Sequence, residues 1–367
     1  MKKIIFLLPS LEAVSPVRAA LGLIKGIYTR YDILVISISS PIDDKKTIKE
    51  ELEELRIRYI YLNSNGIKNI FMAKNKLQKI VNNENPDILI SYLLRADIIN
   101  SLIKVDFAKK ISSIRNMIEK EYVISHGKLI GNIFGFFHKY ALSQLDKIIL
   151  MSNDMYDFFI KNKFEQNKLA LIHNCLDEDD LQKKMSVSYT KPFDNNLPII
   201  VSVGSLIPRK NTILLVNNCL KLLTEGFAFN VLIIGDGEER KILESKINES
   251  SYKNNFKFTG NINNPIPFIL NSNIFVMTSI SEGVSRSLME ALYLGKTSIV
   301  SDIDGNRELI DNNINGYLYK TDTEFLNYLK LLINNLKNEK VNLLKKEFSY
   351  ENSISKHLEL FSNLEDK

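Results

Sequence analysis

Residues 198–237, PIIVSVGSLIPRKNTILLVNNCLKLLTEGFAFNVLIIGDG, hold the reading that decides the fold. Two apolar, β-branched runs, 198–203 and 230–234, flank a helix-period segment at 211–223. Each run ends in a glycine turn, Gly204-Ser205 and Gly235-Asp236-Gly237. Continuous apolar runs, in place of alternating ones, suit strands covered on both faces, so the unit reads as βαβ with parallel strands. Downstream the alternation continues with a helix over 238–247 and strands at 256–259, 274–277 and 298–300. Upstream it recurs as strands at 3–8, 33–37, 58–62, 87–91, 110–114, 147–150 and 170–172. Crossover helices are expected at 15–29, where Ser15 and Pro16 supply a cap and a first-turn proline, at 66–81 and at 119–142. Periodicity lapses in the polar stretch 175–197, which contains Pro192 and reads as a linker.

The expected fold class is therefore α/β, with two doubly wound Rossmann-like domains, residues 1–174 and 198–349, facing across a cleft. A terminal helix over about 350–367 is expected to pack back on the first. Such sheets bind ligands beyond the carboxyl ends of their strands. A length of 367 residues exceeds one core and suits two domains. Cys175 and Cys219 are the two cysteines, without a C-x-x-C, so neither a disulfide framework nor a zinc site is expected. The apolar start is cut by Pro9, Ser10 and Glu12 and reads as a first strand, not a signal peptide. No apolar run approaches the ~18 residues of a bilayer span, and a cytoplasmic location is expected.

Charge is uneven. Residues 1–174 carry 26 Lys+Arg against 18 Asp+Glu, and the remainder 22 against 25. The basic half suits an anionic membrane surface or acceptor, with Lys104, Lys109, Lys110, Lys120, Lys128 and Lys139 as the candidate patch. Attachment would then be peripheral, on the inner face of the cytoplasmic membrane. No nucleic-acid-binding motif accompanies the charge.

Chemistry concentrates in residues 278–295, TSISEGVSRSLMEALYLG. A strand ends near Met277 and a helix starts near Ser285. The amides of Gly283, Val284, Ser285 and Arg286 lie at the positive end of the helix dipole, a ready site for a diphosphate. Glu290 is about five residues in, roughly 7–8 Å along the axis, the step from a diphosphate to the ribose of the same nucleotide. A carboxylate there accepts from both ribose hydroxyls. Glu282 sits in the preceding turn, on the side where a transferred group would project. The plainer reading makes Glu282 a helix cap and Glu290 a solvated face residue.

These residues resemble the retaining glycosyltransferases of family 4, which share the two-domain GT-B fold. Glu282 and Glu290 match the family's Glu-x7-Glu within SEGVSRSLMEA. Val203-Gly204-Ser205 followed by Arg209-Lys210-Asn211 resembles its glycine loop and phosphate-binding lysine, and Ile233-Ile234-Gly235-Asp236-Gly237-Glu238 the turn beside the nucleotide base. Asp302 to Glu308 and Asn315-Gly316-Tyr317 match the tail of the pattern, and Ile172-His173-Asn174 with Asp177 resembles the family's connection into the linker. The family often carries Gly-Gly after the first strand, where this chain has Ala13-Val14-Ser15-Pro16, and an arginine where it has Ser205.

The resemblance implies a retaining transfer of a hexose-type sugar from a nucleoside diphosphate sugar, UDP-linked, to a glycan or polyprenyl-diphosphate-linked oligosaccharide in surface polysaccharide biosynthesis. It assigns Glu282, Lys210 and Arg209 to catalysis. Gly204, Ser205, Gly235, Gly237, Gly283, Val284, Ser285, Arg286 and Glu290 fall to donor binding. The nucleotide sugar is a co-substrate; no cofactor or metal is implied. Acceptor candidates at first-domain strand ends are Ser15, Arg95, Arg115 and His126. Asp302-Ile303-Asp304 is formally a metal–diphosphate clamp, but its place after a late strand matches a glycine loop. The aromatic run 133–137, between Lys128 and Lys139, reads as a helix packed on the sheet, with a membrane face as the alternative. Rival functions are a nucleotide-sugar 2-epimerase, which needs acid–base histidines where the chain has four in all, and a non-catalytic sugar-nucleotide-binding subunit.

Overall fold

In the first half, side chains of successive strand residues fall to opposite faces, and both faces are apolar. Ile4, Phe6 and Leu8 pack with Val17, Leu21 and Ile24, while Ile5 and Leu7 pack with Ala73, Leu77 and Ile99. The computed structural model describes residues 1–40, 45–66, 69–115, 117–118, 122–123, 127–336 and 341–365. Met1–Asn174 with Glu351–Lys367 form one compact unit and Cys175–Tyr350 a second.

The first unit holds β1 (Lys3–Leu8), β2 (Asp32–Ser37), β3 (Arg58–Tyr61), β4 (Ile88–Tyr92), β5 (Lys109–Ser113), β6 (Lys147–Leu150) and β7 (Leu169–Leu171). Their order is β3-β2-β1-β4-β5-β6-β7, with all pairs parallel. Phe6 lies opposite both Val35 and Ile90. Helix Ser15–Ile27 follows β1; Val14, not Ser15, occupies its cap position, and Pro16 sits in the first turn. Helix Lys128–Ser143 is shorter than the expected 119–142. Its residues Ile133, Phe136 and Phe137 face outward, against the expectation of a run packed on the sheet.

Helix Tyr350–Glu365 returns to this unit and buries Phe361 edge-on to Tyr31 at 6.0 Å. Its His357 is buried, with Nδ1 donating to the Ser353 carbonyl at 2.8 Å. Burial, reinforced by the nearby Arg115 cation, pushes the imidazole down to about 4. The unfolded chain therefore takes up this proton near the ordinary value of 6.5 and the folded chain does not. Stability is complete above about 6.5 and is lost as pH falls toward about 4, by up to ~3 kcal/mol from this group. We expect protection of the amides in this helix, relative to their intrinsic exchange rate at each pH, to fall between pH 6.5 and 4.5 more steeply in the native chain than in His357→Gln. Parallel profiles would contradict the assignment.

The second unit holds β8 (Ile199–Val203), β9 (Asn230–Ile234), β10 (Phe256–Phe258), β11 (Ile274–Met277), β12 (Thr297–Ser301) and β13 (Gly316–Tyr319), ordered β10-β9-β8-β11-β12-β13 and parallel throughout. Val201, Leu232 and Phe275 pack with Leu288 and Leu292 on one face. Ile200, Val231 and Val276 pack with Leu215, Cys219 and Phe325 on the other.

Residues 175–197 are not a bare linker. Glu178–Met185 is a helix whose N-cap Asp177 accepts from the Asp180 amide at 2.9 Å, and Leu176, Leu181 and Phe193 enter the second core. No helix among the described residues is long and apolar enough to cross a membrane.

Candidate active site

Strand order in the second sheet reverses between β8 and β11, which opens a crevice at their carboxyl ends. The loop after β8 and the turn after β11 meet there. The first loop lies on the turn after β9, with Gly204 N donating to the Ile234 carbonyl and Leu206 N to the Asp236 carbonyl, both at 2.9 Å. A Cβ on Gly235, whose φ is +143°, would stand 1.9 Å from the Gly204 carbonyl oxygen. Only glycine permits that approach.

Pro208–Lys210 then forms a single 3-10 turn that closes on Asn211 at φ +48°. Three bonds fasten it to the turn after β11. Ile280 N donates to the Arg209 carbonyl at 2.9 Å, Thr278 Oγ1 to the Lys210 carbonyl at 3.0 Å, and Arg209 Nη1 to the Ser281 carbonyl at 2.6 Å. The turn is braced from behind, where Ser301 Oγ donates to the Ser279 carbonyl at 2.5 Å and Asn306 Nδ2 to the Ser301 carbonyl at 2.9 Å. A Cβ on Gly305 would fall 1.9 Å from the Gly283 carbonyl oxygen.

This scaffold sets three charges together. Lys210 Nζ lies 2.5 Å and Arg209 Nη1 3.1 Å from the same carboxylate oxygen of Glu282. The Lys210 and Glu282 side chains are only 18% and 11% exposed. The Lys210 stem runs over Gly204, where an added Cβ would meet its Cε at 3.4 Å. Gly204, Ser205, Lys210, Thr212, Met277 and Ser279 are among the residues lining a small pocket at this spot. Two cations against one carboxylate leave positive charge in a partly dry crevice, where it acts more strongly than in water.

Helix Arg286–Tyr293 starts beside the pocket. Its cap Ser285 has extended backbone and makes no side-chain cap bond, and Ser287 Oγ donates to the Val203 carbonyl at 3.4 Å. Leu288, Met289, Ala291 and Leu292 anchor it in the core. Glu290 is not solvated: it is 7% exposed and accepts from Arg286 Nε at 3.0 Å. Burial raises its carboxyl above the ordinary range, against the pull of Arg286. A buried carboxylate held by one half-exposed arginine has acceptor capacity to spare.

Asp302 and Asp304 are engaged by cations. Arg307 Nε donates to Asp302 at 2.5 Å and Arg307 Nη1 to Asp304 at 3.2 Å, with Lys320 3.5 Å from Asp302.

The acceptor candidates of the first unit are tied to different neighbours. Arg95 donates to Ser39 Oγ at 3.1 Å and to the Ser64 carbonyl, and Arg115 stacks over Tyr92 at 5.7 Å. Ser15 opens helix Ser15–Ile27, and His126 lies outside the described residues. Sequence reading missed a buried chain in this unit. Ser91 Oγ donates to Asp97 at 2.6 Å, His138 Nε2 lies 2.7 Å from the other Asp97 oxygen, and Tyr122 OH is 2.8 Å from His138 Nδ1. These residues come from separate elements and share no spacing motif; a histidine on the inward side of an apolar helix was the one signal.

Residues 188–348 match the family model of glycosyl transferases group 1. An uncharacterized glycosyltransferase of Methanocaldococcus jannaschii is 28% identical over 65% of this chain, and the match spans 62% of that protein. The O-antigen biosynthesis glycosyltransferase WclY of Escherichia coli is 23% identical over 84% of this chain and 82% of its own length. Among solved structures, Anabaena HepE in complex with UDP superposes with a TM-score of 0.78, covering 99% of this chain and 100% of that one at 16% identity. Residues 188–348 thus carry a glycosyltransferase-type domain, and the two parallel-sheet units are those of the GT-B fold.

Proposed function

We propose that the chain is a retaining glycosyltransferase of family 4 that takes its sugar from a UDP-linked donor. It passes the sugar to a glycan or polyprenyl-diphosphate-linked oligosaccharide of a surface polysaccharide. The observation that carries this is the placing of Lys210, Arg209 and Glu282 together at the switch point, beside the helix that buries Glu290. The UDP bound by HepE and the O-antigen role in WclY's name support the donor and the acceptor class.

In this reading the diphosphate competes with Glu282 for Lys210 and Arg209, and the carboxylate it displaces turns to the hydroxyls of the sugar. Amides of Gly283, Val284, Ser285 and Arg286 face the phosphates, and Glu290 accepts from the ribose diol. Gly235 and Gly237 keep the adjoining turn low beside the base. The bond from the anomeric carbon to the phosphate oxygen breaks while an acceptor oxygen attacks from the same face. The acceptor's proton passes to the departing phosphate oxygen. Lys210 and Arg209 stabilise the negative charge that develops there.

Because that stabilisation comes from side chains and amides, turnover should survive chelation. Transfer from UDP-sugars assayed in EDTA should keep its rate. Loss of activity restored by manganese or magnesium would return Asp302 and Asp304 to the role of a metal clamp. A thermal-shift panel of nucleotide sugars identifies the donor, since ligand binding raises stability by mass action. No response to any uridine nucleotide would overturn the UDP assignment.

A further inference from the structure

Helix Lys128–Ser143 turns Gly131, Gly135, His138, Ala141 and Leu142 inward. Its other side carries Leu129, Ile130, Ile133, Phe136, Phe137 and Tyr140, exposed by 78%, 49%, 47%, 65%, 54% and 62%. At ~100° per residue these six share an arc of about 120°. They form one continuous stripe. With side chains of this size it amounts to roughly 600 Å² of apolar surface, the upper end of what a monomer leaves to water.

The stripe runs the length of the helix, and its first turn, with Leu129 and Ile130, has company at the same rim of the sheet. A crossover helix between parallel strands runs back against them, so its first turn lies at their carboxyl end. Helix Lys128–Ser143 connects β5 to β6, and helix Ile70–Glu84 connects β3 to β4. The latter opens with Phe71 and Met72, exposed by 74% and 50%. Charge beside these apolar side chains is basic. Lys128 flanks the stripe and Lys74 and Lys79 follow Met72, while Lys76 gives its ammonium to the Leu62 carbonyl. Residues 128–143 contain no aspartate or glutamate, and Glu84, at the far end of the other helix, is paired with Lys3 and Arg58.

We infer that this face docks on an anionic lipid bilayer, with Ile133, Phe136, Phe137 and Tyr140 seated at the headgroup boundary and the lysines at phosphate level. A second copy of the chain suits the face poorly, since two such surfaces would meet lysine to lysine. The contact differs from a purely basic patch: Lys110 gives its ammonium to the Ile103 carbonyl and Lys139 to Asn162, and Lys120 lies outside the described residues. The inference deepens the proposed lipid-linked acceptor, because it would hold the carboxyl rim of the first sheet at the depth where such a headgroup lies.

Flotation with vesicles of phosphatidylglycerol mixed into phosphatidylcholine, and of phosphatidylcholine alone, tests it. The native chain should float with the anionic vesicles and less so as salt rises. Phe136→Asp with Phe137→Asp should cut partitioning by about tenfold or more. Ile242→Asp, at a 65% exposed apolar position of the second unit, should leave it unchanged. Calorimetry with UDP is run on each variant, so a failed donor reading appears there and not in flotation. Native protein left behind by anionic vesicles at low salt, or a double variant that floats as well, would overturn the inference. So would a native dimer that the double variant splits into monomers, which would give the face to a second copy.

Discussion

Lys210→Ala is expected to lower kcat by about 10²–10³-fold, the usual loss when one preorganised group facing a developing charge is removed from a partly dry site. Donor binding should weaken less, because the charge on the departing oxygen grows on the way to the transition state. The ammonium is held in place before any substrate arrives: its carbonyl receives Thr278 Oγ1, its stem lies on Gly204, and Glu282 holds its tip at 2.5 Å. Arg209, more exposed at 34%, should cost less when replaced. In Lys210→Ala, Glu282 keeps Arg209 as a partner, so the variant should fold. Steady-state rates with saturating donor decide the matter, and a loss under tenfold would remove Lys210 from the chemistry.

Glu290 should respond with opposite signs in two measurements. Loss of charge-assisted bonds to a ribose diol costs about 1.5–3 kcal/mol, so Glu290→Ala should bind UDP roughly 10- to 150-fold more weakly by calorimetry. Stability should move the other way in Glu290→Gln. Burial raises the native carboxyl above its unfolded value, so the unfolded chain ionises first as pH rises and native stability is drawn down from about 4.5 upward. Glutamine does not titrate. Its melting temperature should equal the native one near pH 4 and exceed it at neutral pH. A residue kept for structure alone would lose stability on replacement and leave UDP affinity untouched; that result would rule out the ribose contact.

The sheets were legible because parallel strands covered on both faces leave unbroken apolar runs, and residues 3–8, 230–234 and 274–277 carry them. β13 was not, since Gly316–Tyr319 is a glycine, two tyrosines and one leucine after an asparagine-rich turn. Glycine is nonetheless required there, for a Cβ on Gly316 would press on Ile310 and on the Ser298 carbonyl. The helix in the expected linker hid behind polarity, with Leu181 as its buried residue. Its signal was electrostatic: Asp177 as cap, three acids in the first turn, and Lys183 and Lys184 in the last. In the candidate site the charged residues could be read from their order, but the brace from Ser301, Gly305 and Asn306 could not. Their work is done by side-chain hydrogen bonds to carbonyls and, at Gly305, by close backbone approach, neither of which leaves a periodic trace. The exposure of Phe136 and Phe137 was equally hidden, because an aromatic run has the same letters whether it meets a sheet or open solvent.

Anyone redesigning donor preference would meet a boundary at Gly235, Gly237 and Gly305. Main chain touches main chain there, so no side chain can be added without shifting a whole loop. A library that spares these positions and varies Ser205, Thr212 and Ser279, which line the pocket above them, changes the contour offered to a nucleotide while the loops beneath hold still. Variants of that kind should differ in which sugar nucleotide they accept far more than in whether they fold.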